Sequence, residues 1–201
     1  MVAQKIQMVD LIGQYEKLKT EIDTAVINVI RSSAYINGPD VKEFQKELEN
    51  YLHVKHVIPC ANGTDALQIA MMALNLQPGD EVITASFTYV ATAEVIALLK
   101  LKPVLVDVYP NTFDIDVNAM EKAITSKTKA ILPVHLYGQC VDMAKIMEIS
   151  KRRKIPVIED CAQAAGASYG AKKAGSYGAL GCFSFYPTKN LGAIGDAGLI
   201  V

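Results

Sequence analysis

The sequence predicts an α/β fold, with a mostly parallel central sheet flanked by helices. Two observations carry this expectation. Short apolar runs rich in Val and Ile recur along the chain, and runs of that length suit strands buried on both faces. Helical patterns separate them, each entered through a polar turn, and such alternation builds parallel strands joined by crossovers.

The elements follow in order. Residues 14–31 and 40–52 read as amphipathic helices, broken by Ser32-Ser33-Ala34-Tyr35-Ile36-Asn37-Gly38-Pro39. Residues 56–76 read as a strand, a polar turn and a helix. Residues 80–100, 103–124, 129–154 and 156–166 repeat that order. Residues 178–186 and 195–201 break it, because they read as two strands with only a loop between them. The pattern places Leu199-Ile200-Val201, where the sequence stops, inside a strand.

Composition narrows the function classes. The 201 residues suffice for one full-sized domain, and 51% are hydrophobic, which suits a well-cored globular protein. Twenty basic and 21 acidic residues give a net charge of -1, which does not advertise nucleic-acid binding. The densest basic cluster, Lys151-Arg152-Arg153-Lys154, reads as the cationic end of a helix. The opening residues lack the apolar core of a signal peptide. No run is long and apolar enough to span a bilayer. Cys60, Cys140, Cys161 and Cys182 are scattered, without a C-x-x-C pair. Together these features predict a cytoplasmic, reducing setting. His53 and His56 have no further ligand nearby in sequence, so no metal site is expected.

In a parallel sheet, ligands gather beyond the carboxyl ends of the strands. The residues expected there are Asn62-Gly63-Thr64-Asp65, Phe87-Thr88-Tyr89, Asp107, His135-Leu136-Tyr137-Gly138, Asp160-Cys161-Ala162-Gln163 and Ser184 through Lys189. Asn62-Gly63-Thr64-Asp65 opens a helix and suits either a phosphate or an ordinary N-cap. It is neither a P-loop nor a G-x-G-x-x-G dinucleotide fingerprint. Asp160 ends an apolar run, as an acid facing a ligand or as a cap for the Ala-rich segment after it. Lys189 stands between an aromatic strand and a glycine-rich loop. It is either a nucleophilic amine with a depressed pKa or a loop lysine whose stem covers Tyr186. A phosphate cradle, an acid and an amine together match the needs of pyridoxal 5'-phosphate (PLP), with Phe87 or Tyr89 against the ring.

The chain resembles the PLP-dependent nucleotide-sugar aminotransferases of the DegT/StrS group, of fold type I. The resemblance runs from Val9 to Val201 through VDLIGQYEKLKTEID, INGPDVKEFQKELENYL, CANGTDAL, PGDEVITASFTYVATAEVI, KAILPVHLYGQCVDM, PVIEDCAQAAGASY and FSFYPTKNLGAIGDAG. It implies that Lys189 binds the cofactor's aldehyde and moves the proton between substrate Cα and cofactor C4'. Asp160 would pair with the pyridinium nitrogen, and Gln163 with the phenolic oxygen. Gly63, Thr64 and Ser184 would hold the phosphate. Tyr89, in preference to Phe87, would stack on the ring. His135 and Tyr137 lie near the site in the family pattern without a firm role.

The implied reaction moves an amino group from L-glutamate to a keto group of a nucleotide-linked sugar. The wording of CANGTDAL and TYVATAE leans to 3-keto, UDP-linked N-acetylated sugars, used in amino-sugar or surface-polysaccharide synthesis. The resemblance further implies a homodimer at full length. Residues 1–201 would be the N-terminal segment and PLP-binding large domain, without the C-terminal small domain. Family relatives that are dehydratases carry histidine at the lysine position, and Lys189 argues against them. The alternative is a chain of this fold that binds without turnover. Ala197 departs from the family's usual glycine, where a methyl could crowd the cofactor loop.

Overall fold

The computed structural model describes Ile6 and residues 8–201. Residues 1–5 and 7, the opening of the expected 1–201 domain, lie outside the described residues. Helix α1 (Leu11–Ser32) is capped by the Asp10 carboxylate, which accepts the Gly13 N–H at 2.8 Å. No residue of α1 is buried, and Leu18, Ile27 and Ile30 on it are exposed. Helix α2 (Pro39–Leu52) starts on Gly38 with Pro39 in its first turn, where proline's missing N–H costs nothing.

Strand β1 (Ile58–Cys60) leads to α3 (Gly63–Ala73), β2 (Glu81–Ala85) to α4 (Ala91–Leu98), and β3 (Lys102–Val106) to the short α5 (Val117–Lys122). Strand β4 (Thr128–Leu132) leads through a 3-10 turn (Leu136–Gly138) to α6 (Met143–Arg153). Helix α6 ends in Lys151, Arg152 and Arg153, so the densest basic cluster is a helix terminus, as expected. Arg152 there pairs with Glu121 and Glu148. Strand β5 (Ile158–Asp160) comes next.

The expected helix after β5 does not form. Residues 161–167 make successive turns, with Ala164 N–H on Cys161 O and Ala167 N–H on Ala164 O. Gly166 then takes φ +92°, which reverses the chain into the hairpin β6 (Ser168–Tyr169) and β7 (Lys172–Lys173). The cap reading of Asp160 therefore gives way to a turn contact.

Strands β8 (Leu180–Ser184) and β9 (Gly198–Ile200) close the order. The hydrogen-bonded orders are β1-β9-β8-β5 and β3-β2-β4. Parallel bridges from Ile131 to Val157 and from Val134 to Asp160 join β4 to the β5 edge. Every pairing among these strands is parallel except those of β9, which lies antiparallel between β1 and β8.

The sheet is covered on both faces because its strands alternate. Val82, Leu132 and Ile158 pack against Leu67, Met71, Val95 and Ile96 of α3 and α4. Ile83 and Ile131 pack the other way, against Met120, Met143 and Ile146 of α5 and α6. Full burial of one such side chain stabilises by about 1.5–3 kcal/mol. Among the described residues, no helix is long and apolar enough to cross a membrane.

Candidate active site

The carboxyl ends of β8, β5, β4 and β2 and the N-terminus of α3 surround a cavity of about 590 Å³. Gly63, Thr64, Tyr89, Asp160, Gln163, Ser184 and Lys189 all line it. The seven residues selected from the sequence thus share one space. Some of the neighbouring residues considered with them do not. Phe87 packs on Phe113, with ring centroids 5.3 Å apart. Asp107 accepts the N–H of its neighbour Val108. His135 and Tyr137 are absent from the cavity wall.

The α3 end of the cavity is built by close packing. Asn62 caps the helix, accepting the Asp65 N–H at 2.8 Å. That leaves the first-turn N–H groups of Gly63 and Thr64 without intrahelical partners, at the positive end of the helix. A Cβ on Gly63 would sit 2.6 Å from Ser184 Cβ, and one on Gly198 would sit 2.4 Å from the Asn62 carbonyl. Only glycine allows α3 to rest this closely on β8 and β9. Ser184, buried at the end of β8, presents its hydroxyl beside this turn.

Asp160 forms the floor. It is 4% exposed, and both of its oxygens have donors. Thr92 donates its hydroxyl to Oδ2 at 2.9 Å, and Ala162 donates its N–H to Oδ1 at 3.1 Å. Burial pushes the carboxyl's pKa up, against those donors, the nearby His135 ring and the Lys189 charge. Lys189 faces the same space from the turn after β8, where its N–H is held by Tyr186 O. Partial burial lowers the amine's pKa and the Asp160 charge opposes that. No carboxylate lies within ion-pair distance of Lys189 among the described residues.

Sequence reasoning did not single out Thr92 or the orphaned Thr88 hydroxyl. The Thr88 oxygen is buried without a partner among the described residues, in a residue that lines the cavity. Thr92 shares the buried side of α4 with Val95 and Ile96. A hydroxyl at that helical spacing needs a partner, and that was its available signal. Ala197 raises no obstacle. It packs against the cluster of Phe183, Phe185 and Leu199 and does not line the cavity.

His135, Glu159 and Cys161 bring ligand-type atoms within 4.8 Å of one another, all buried. Glu159 already accepts from His135 Nε2 and from the N–H groups of Gly175, Tyr177 and Gly178. Its acceptor positions are filled, so the cluster is a hydrogen-bonded unit and not a vacant ligand set. A separate apolar cavity of about 630 Å³, lined by residues such as Phe44, Leu48, Phe185 and Leu191, offers little for polar chemistry.

Comparisons with known proteins agree with this geometry. The chain is 51% identical over 195 residues to a Pseudomonas aeruginosa protein described as UDP-2-acetamido-2-deoxy-3-oxo-D-glucuronate aminotransferase, covering 97% of this chain and 54% of that one. It is 52% identical over 196 residues to a Geobacillus stearothermophilus protein described as a pleiotropic regulatory protein, covering 98% and 53%. The crystal structure of NtdA from Bacillus subtilis with bound cofactor PMP superposes with a TM-score of 0.89 at 37% identity, covering 100% and 46%. The chain therefore spans about half the length of the relatives it matches. Residues 16–201 match the DegT/DnrJ/EryC1/StrS aminotransferase family, and the chain belongs to that family.

Proposed function

We propose that this chain carries the cofactor-binding half of a PLP-dependent aminotransferase that moves an amino group from L-glutamate to a keto group of a nucleotide-linked sugar. The observation that carries this reading is the convergence of Lys189, Asp160 and the α3 cradle on one cavity. The residues suit PLP in three respects: a cradle that a Cβ would fill, a buried hydroxyl on Thr88 without a partner, and an amine free of a carboxylate partner among the described residues. When bound, PLP supplies an electron sink for the amino-bearing carbon.

The chain's own residues then divide the work. Gly63, Thr64 and Ser184 hold the phosphate, Tyr89 lies against the ring, and Gln163 meets the phenolic oxygen. Asp160 keeps the ring nitrogen protonated. Lys189 Nζ, with a lowered pKa, would take the proton from the substrate Cα and deliver it to the cofactor's C4' carbon. The description of the P. aeruginosa relative supports a UDP-linked 3-keto sugar as acceptor. The same reading includes a cytoplasmic homodimer, at full length, that serves amino-sugar or surface-polysaccharide synthesis, with a C-terminal small domain beyond the large domain.

The test is chemical. Purified protein is incubated with PLP, reduced with borohydride and mapped by peptide mass. The expected result is a pyridoxyl group on Lys189 that is lost in Lys189→Ala, together with glutamate-dependent 2-oxoglutarate release. A label on another lysine overturns the assignment. Labelling at Lys189 without any amino transfer to UDP-3-keto sugars favours a binding role.

A further inference from the structure

Glu159 and His135 are 0% exposed and line no part of the cavity, yet both lie directly behind Asp160. A buried carboxylate is costly unless donors surround it. Glu159 has four: Gly175 N–H at 2.9 Å, Tyr177 N–H at 2.7 Å, Gly178 N–H at 2.6 Å and His135 Nε2 at 2.9 Å. The Val141 N–H donates to His135 Nδ1 at 3.3 Å, which assigns the ring proton to Nε2. The imidazole therefore has one orientation available and gives its proton side to Glu159.

The pair is also wired to Asp160 through the main chain. His135 N–H donates to Asp160 O at 3.0 Å, and Asp160 N–H donates to Pro133 O at 2.9 Å. Consecutive residues of a strand point to opposite faces, so Asp160 meets the cavity while Glu159 anchors the loop leading into β8. That loop places Ser184 at the other end of the same strand. Two buried carboxylates one residue apart also repel each other, and the His135 N–H tempers the nearer charge.

We propose that His135 and Glu159 are a positioning pair for Asp160, fixing its main chain and setting the negative field at the cavity floor. The proposal rests on Asp160 being the acid that faces the cofactor's ring nitrogen. The groups bearing on Asp160 are the Ala162 N–H, Thr92 from α4, His135 from the β4 end and Lys189 from the loop after β8, with Glu159 beside it in β5. Of these, only the pair combines the main-chain clamp with a buried charge.

The experiment uses the chain without cofactor, so its outcome does not depend on the aminotransferase reading. In the unmodified chain, long-range ¹H–¹⁵N NMR should find the neutral His135 ring as the Nε2–H tautomer. An Nδ1–H tautomer overturns the pair. The carboxyl ¹³C titration of Asp160 is then followed in two variants. His135→Asn uncovers the Glu159 charge and should raise the Asp160 midpoint. Glu159→Gln removes the like charge and should lower it. Loss of packing alone moves both midpoints in one direction, and that result, or an unmoved midpoint in folded His135→Asn, overturns the proposal. If Glu159→Gln does not fold, His135→Asn and the tautomer decide.

Discussion

Asp160 sits at a strand end, buried, with both oxygens engaged by donors, whereas Lys189 sits half-buried in a turn with no carboxylate in ion-pair reach among the described residues. The two charged groups share one cavity and are held in opposite ways. The β5 end is cross-linked by Thr92, Ala162, His135 and Pro133, contacts that keep an acid at one position. The loop after β8 closes through Ala193 N–H to Phe185 O, and Lys189 lies within it. Under the proposed function, an acid placed against a ring nitrogen needs the first kind of support. A group that carries a proton between two atoms needs the second.

The largest break in this contrast is expected at the cradle. In Gly63→Ala, the new methyl meets Ser184 Cβ at 2.6 Å. Helix α3 must then lift from β8, and overpacking of this kind costs about 1–3 kcal/mol. Urea unfolding should report that loss, and PMP titration should show weaker binding at the same time. Unchanged stability would mean that the α3–β8 contact yields more easily than its packing implies.

Asp160→Asn tests the fixed side of the contrast through pH. Burial holds the Asp160 carboxyl above its ordinary range in the folded chain. The folded state therefore binds that proton more tightly than the unfolded state. Its contribution to stability is full below the ordinary carboxylate range and is lost as pH rises through the raised value. Asp142, lowered by Lys145, and Asp116, lowered by the Ala119 N–H, act with the opposite sign and lose their contribution as pH falls. Relative to the parent without cofactor, Asp160→Asn should therefore gain stability from about pH 4 to about pH 7. Urea midpoints at the two pH values check this, and a difference independent of pH would contradict it.

Much of this contrast was legible in the sequence, for a physical reason. β2 centres on Val82 and Ile83, and all five of its residues are buried. Once the strands are placed, parallel geometry dictates which residues follow their carboxyl ends, so Asp160, Ser184 and Tyr89 could be grouped before any contact was known. What stayed hidden depends on partners distant in sequence. Thr92 and Asp160 are 68 residues apart and meet only in the folded chain. The place of β9 between β1 and β8 is a pairing choice that its local pattern does not encode. The Ala-rich stretch after Asp160 has helical composition, yet Asp160, Cys161 and Gly166 commit it to turns. Glu159 looked like one polar residue among apolar ones, because its main-chain donors come from residues 175–178.

The smallest expected effect separates two neighbouring aromatic residues. Tyr89 lines the cavity and is largely exposed, so its ring is available to a planar ligand. Phe87, two residues earlier, already spends a face on Phe113, which contacts Tyr137 in turn. A stacked aromatic pair contributes about 0.5–1.5 kcal/mol beyond simple burial, or roughly 2- to 13-fold in affinity. Tyr89→Leu should weaken PMP binding by that factor, measured by fluorescence titration, and leave the unfolding midpoint unchanged. Phe87→Leu should do the reverse, with PMP affinity kept and a small loss of stability as Phe113 loses its neighbour. If Phe87→Leu were the variant that weakened PMP, the ring platform would belong to the aromatic cluster at β2 and β3, and Tyr89 would be a surface residue at the cavity rim.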